Sequence, residues 1–147
     1  MGLNKSLGQV VATYSTLIGL LYAFLGFMEI LTGLGLSGGI LSKILFMKGD
    51  MIAGAVLITT GVVYLAGVGS LSRGEREGLS FVVVGVLLST VIFALYLSIM
   101  GANALGYILG FEDWVDWTWI DDVNPGLWLW FLTIPGIYIS LKREWRE

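Results

Sequence analysis

Residues Val10 to Thr32 read VVATYSTLIGLLYAFLGFMEILT. A hydrocarbon core of ~30 Å needs about 20 helical residues to cross it. This run is long enough, and its one charged side chain is Glu29. Backbone groups in lipid must be satisfied within their own segment, so the run is predicted to be a helix. Three more runs follow: Met51 to Leu71, Leu79 to Met100, and Pro125 to Leu141. The third meets no charge before Glu112 and so carries an apolar extension beyond Met100. The fourth is short, roughly 25 Å at 1.5 Å per residue. The predicted fold is an all-α integral membrane protein. It is one polytopic domain over residues 1–147, with four transmembrane helices (10–32, 51–71, 79–100 and 125–141) in a small bundle.

Composition agrees. Hydrophobic residues make up 56 % of the 147, and the 21 Gly add about 14 %, giving about 70 % apolar against roughly 45–50 % in soluble domains. Charged residues are 13 %, about half the usual share. A soluble domain of this size could not bury that much apolar surface. A disordered tail and a nucleic-acid binder are excluded with it. The net charge of −3 is too mild to imply a partner. There is no Cys and no His, which removes thiolate chemistry, disulfides and the commonest metal ligand.

The connections differ in character. After Gly33 comes a Gly-rich stretch, then Ile40 to Lys48, apolar with two Lys and expected to lie in the interface. Ser72 to Gly78 is a tight polar turn. Gly101 to Asn124 is expected to be a long loop rich in Trp and acids. Asn124-Pro125 reads as an N-cap followed by Pro at the first helical position, and Pro135-Gly136 is expected to kink the last helix.

Lys and Arg counts set the expected orientation. With both termini cytoplasmic, Lys5, Arg73, Arg76, Lys142, Arg143 and Arg146 lie inside, and only Lys43 and Lys48 lie outside. The Trp-rich acidic loop then faces outward. Trp114, Trp117, Trp119, Trp128 and Trp130 would form an outer aromatic belt, with Trp145 at the inner face. The plasma membrane is the expected location.

On the first helix, Gly8, Ala12, Ser15, Gly19, Tyr22, Gly26, Glu29 and Gly33 recur at alternating steps of four and three. That spacing places them on one face, and all are small except Tyr22 and Glu29. Small faces let helices approach closely in lipid, so Ala12, Ser15, Gly19, Gly26 and Gly33 read as a helix-packing seam. Ala23 falls on the lipid side of this reading. Glu29 lies on the seam, inside the apolar core, where an ionisable group is a functional candidate, although plain helix packing with Glu29 hydrogen-bonded near the headgroups is the favoured reading. Tyr22, Tyr64, Tyr96 and the Asp50 region are its expected partners within the chain. As an ion-binding or proton-coupling set the candidates are Glu29, Tyr22 and Asp50, with capping of the second span the favoured role for Asp50.

The outer loop supplies Glu112, Asp113, Asp116, Trp117, Asp121 and Asp122. A solvated surface loop anchored by Trp is the favoured reading; clustered carboxylates also suit a hard cation, and a Trp–acid mixture suits docking of another subunit. The spacing is not that of an EF-hand loop. No metal or other cofactor is expected, and no catalytic motif is present, so the chain is not expected to be an enzyme.

Four small helices leave little lumen. The expected function is an accessory or structural subunit of a larger membrane complex, of the kind that moves protons or sodium ions. The alternative is a homo-oligomeric ion channel or small-solute carrier with Glu29 lining the path. A lipid- or quinone-contacting enzyme ranks last. The expected partners are the lipid bilayer and either other membrane subunits or further copies of the chain, with no nucleic acid.

Overall fold

The computed structural model describes residues 4–36 and 39–142. Arg143, Trp145 and Arg146 lie outside the described residues. The chain forms α1 (Lys5–Gly33), a short α2 (Ile40–Ile44), α3 (Met51–Ala66), α4 (Val68–Ser72) and α5 (Glu77–Ile108). Two 3₁₀ turns follow, Glu112–Trp114 and Trp119–Asp122. The last segment is α6 (Pro125–Trp128), a 3₁₀ stretch Leu129–Thr133, and α7 (Ile134–Leu141). Among the described residues, three helical segments are long and apolar enough to cross a membrane: Lys5–Gly33, Met51–Ser72 and Glu77–Ile108. Pro125–Leu141 is shorter.

The α1–α3 contact organises the bundle. The two helices run antiparallel and touch through backbone. A Cβ built on Gly26 would stand 2.5 Å from the Gly54 carbonyl oxygen, and one on Gly54 would stand 2.6 Å from that of Gly26. Gly61 and Gly19 face each other in the same way, with a Cβ on Gly61 falling 2.5 Å from the Gly19 oxygen. No side chain fits at these crossings, so only glycine allows the approach. Ala12, Ser15, Gly19 and Gly26 are buried, and Gly33 lies at the exposed end against Gly49. Ala23 is not on the lipid side. It is half-buried, and a Cβ on Gly61 would meet it at 3.0 Å. The contact line therefore runs through Gly19, Ala23, Gly26 and Gly33, and turns Tyr22 and Glu29 into the bundle interior.

Tyr22, Leu25, Leu57, Tyr64, Val82 and Leu129 fill that interior. The Tyr64 ring lies over Gly85, and its hydroxyl is 3.5 Å from the Ser89 hydroxyl. Outward, Leu17, Leu20, Phe24 and Phe27 on α1 and Val83, Leu87, Val91 and Leu95 on α5 are exposed, as a lipid-facing belt requires.

Two boundaries differ from the sequence expectation. The third helix continues past Met100 to Ile108, so Gly101 does not begin a loop. The stop is Gly110, at φ 75°, where Phe111 N–H bonds the Gly106 carbonyl and Gly110 N–H bonds that of Tyr107. Gly101 meets nothing within 4 Å and is simply carried by its helix-forming neighbours. The last segment is broken rather than merely kinked. Tyr14 is inserted at its Pro135-Gly136 step: its hydroxyl donates to the Leu132 carbonyl (2.8 Å) and accepts from Gly136 N–H (3.2 Å), replacing the helical bond between those two groups. Trp130 is not part of a belt at the loop end. It stacks on Phe93 at 4.3 Å and donates to the Thr90 hydroxyl, half-way along α5.

Candidate functional site

At the end of α1 the chain returns as Lys48-Gly49-Asp50 and starts α3. Gly49 takes φ 75°, which turns the successive backbone N–H groups toward one point. Glu29 occupies that point. Its Oε1 accepts from Lys48 N–H at 3.2 Å, and its Oε2 accepts from Gly49 N–H at 2.7 Å and Asp50 N–H at 3.0 Å. The residue is 2 % exposed. A carboxylate that receives several backbone N–H groups at a helix start is held by charge-assisted hydrogen bonds and by the helix dipole. Gly33 closes the same corner, because a Cβ there would lie 2.5 Å from the Gly49 oxygen. Glu29 thus ties α1 to the start of α3.

Asp50 is the N-cap of α3, its Oδ1 accepting from Ala53 N–H at 3.0 Å. Its Oδ2 accepts from the Tyr96 hydroxyl of α5 at 3.4 Å. Tyr22 does not join this group. It sits seven residues before Glu29, about 10 Å along the axis, and its ring packs 6.1 Å from that of Tyr64.

A cavity of about 160 Å³ lies beside the anchor, lined by Glu29, Lys48, Asp50, Tyr96, Asp121 and Asp122 among others. The acidic loop forms its roof, and Asp122 organises that loop. Both Asp122 oxygens accept from Asn103 Nδ2 (3.0 and 2.9 Å), and Oδ2 also accepts from Trp117 Nε1 (2.9 Å). Trp114 Nε1 donates in turn to Asn103 Oδ1 at 3.0 Å. Asp121 caps the second 3₁₀ turn by accepting from Thr118 N–H at 2.9 Å. Glu112, Asp113 and Asp116 are exposed on the other turn. The five acids therefore do not converge on one cation. Among the described residues no group of three acids could hold a metal ion.

Asn103 and Tyr14 were not singled out in the sequence. Asn103 sits where a loop was expected, and Tyr14 belongs to a helix face that looked ordinary. Gly49 before an Asp N-cap was the available signal for the anion-binding turn.

The match to a known family spans nearly the whole chain, residues 5–143, and its description is MJ0565 integral membrane domain. The chain belongs to this family. A curated relative, "Uncharacterized protein MJ0565" of Methanocaldococcus jannaschii, is 29 % identical over 130 residues, covering 88 % of each chain. No solved structure matches. Membership makes the MJ0565-type chain an integral membrane protein, in agreement with its three long apolar helical segments.

Proposed function

We propose that this MJ0565-family protein is a non-enzymatic accessory or structural subunit of a larger membrane complex. It crosses the plasma membrane four times, Pro125–Leu141 being the fourth span, with both termini cytoplasmic. The observation that carries the reading is the loop over α5. Its inner side is fixed by Asp122, Asn103, Trp114 and Trp117, while its outer side presents Val115, Trp119 and Ile120 at 64 %, 62 % and 47 % exposure beside Glu112, Asp113 and Asp116. A pre-ordered surface with an aromatic anchor and a charged rim loses little freedom when a partner docks. The α1 seam gives no such support, because α3 of the same chain fills it. Gentle extraction and native mass measurement test the proposal. A mixed complex that Trp119→Ala together with Asp116→Ala disperses is the expected result. A chain that is always alone, or only with its own copies, would refute it.

The ion-path alternative has the acidic pocket in its favour. Against it, both Glu29 oxygens are already engaged by backbone N–H groups. Ion flux in vesicles that survives in wild type and disappears in Glu29→Gln would favour this alternative.

A further inference from the structure

At the opposite end of the bundle, α5 and α7 part and leave an apolar groove of about 590 Å³. Val83, Val84 and Leu87 of α5 and Ile137 and Leu141 of α7 form its walls, and Arg76 lies at its mouth. Arg76 immediately precedes α5, and its Nε is buried with no hydrogen-bond partner among the described residues. Its neighbour Arg73 differs in being engaged by Glu75, with Nε–Oε1 at 2.7 Å. A buried guanidinium N–H without an acceptor is costly, and a phosphate oxygen is the acceptor that suits it best.

The dimensions identify what brings that phosphate. From Arg76 to Leu87 the helix rises about 16 Å, close to half of the ~30 Å hydrocarbon core. The groove thus starts at a cationic mouth and runs for the depth of one leaflet between apolar walls. We infer that it seats a single membrane lipid whose phosphate headgroup is net anionic, with no cation of its own to compete with Arg76, the phosphate on Arg76 and an acyl chain between α5 and α7. This rests only on the membrane reading of the chain and stands apart from the proposed partner.

The test is native mass spectrometry of the full chain in detergent, titrated with phosphatidylglycerol or phosphatidylcholine. Wild type should retain one phosphatidylglycerol about fivefold more tightly than phosphatidylcholine, the scale of one basic residue against an anionic headgroup. Arg76→Gln should lose the preference, and Arg76→Lys should keep most of it. Val84→Trp, which fills the groove with Arg76 untouched, should lose both lipids. The last two variants keep the test readable if Arg76→Gln fails to fold. Equal retention of the two lipids by wild type, or an unchanged preference in Arg76→Gln, would overturn the inference. So would displacement of the bound lipid by inorganic phosphate, since a soluble anion would then be the occupant.

Discussion

Along α1 and α3 the backbones touch, because Gly19 meets Gly61 and Gly26 meets Gly54. Along α5 and α7 branched side chains hold the backbones apart and leave a groove of about 590 Å³. Lipid tails are as apolar as the helices, so burial alone does not drive helices together in a membrane. Close backbone contact and internal hydrogen bonds must do it instead. The α1–α3 pair has both, since the glycines bring the helices together and Glu29 fastens one end. The α5–α7 pair meets at Gly136, which packs on Val86, while Tyr14 ties α7 to α1 instead, and elsewhere the surface stays open. The first interface is a fixed scaffold. The second has room for a guest.

Removing the fastener should have the largest effect. Glu29→Leu strands three partly buried N–H donors, each worth about 1 kcal/mol, so a loss of ~3 kcal/mol is expected in unfolding from detergent micelles. Glu29→Gln keeps one acceptor oxygen and should cost less, about 1–2 kcal/mol. Gly61→Ala comes next. Its Cβ would press on the Gly19 oxygen at 2.5 Å and on Ala23 N at 2.6 Å, both backbone atoms that yield only if the helices separate. Overpacking of that kind costs about 1–3 kcal/mol. Gly136→Ala meets side-chain atoms, the Val86 methyl at 2.9 Å and the Tyr14 hydroxyl at 3.0 Å, and should cost less than Gly61→Ala. Equal costs would erase the contrast between the two interfaces.

Tyr14→Phe sharpens the account of the looser side. It removes the hydroxyl that stands in for the helical bond between Leu132 and Gly136, and should cost about 1–2 kcal/mol. Helix propensity sets the next effect, a gain. Gly101 lies inside α5 with open space around it, so Gly101→Ala should stabilise by about 0.5–1 kcal/mol. The smallest effect belongs to the exposed turn. Hydrogen bonding from Arg73 holds the Glu75 carboxyl below its ordinary value of 4.5. The pair's contribution is thus present above that value and lost as pH falls through the lowered one. Both side chains are open to water, so Glu75→Gln should leave the melting curve unchanged at neutral pH.

The long helices were legible because lipid imposes a length and a polarity that few other constraints override. The alternation of glycines on α1 was legible for the same reason, as a face without side chains. What it meets was not, because a small face fits a neighbouring helix of the same chain as well as another subunit. The seam residues Gly19, Gly26 and Gly33 do meet α3, but the contact is wider than the stripe of small residues and takes in Ala23, which is not on the lipid side. The end of α5 was misplaced because Gly101 resembles a stop, whereas the working stop is Gly110 with its positive φ. Glu29 could be found by its cost in an apolar run. Its partners are backbone N–H groups, and these carry no signature in the sequence beyond Gly49 beside Asp50. The joining of Asn103 to Asp122 across 19 positions is a tertiary contact that no spacing announces.

Gly26→Leu, followed by thermal melting and native mass in parallel, separates a seam within one chain from a seam between chains. A seam filled by α3 gives a sharply lowered melting temperature in the isolated chain, whatever its assembly state. Unchanged melting of the isolated chain with loss of a native assembly would contradict it, and would put the glycine face of α1 at an interface with another subunit.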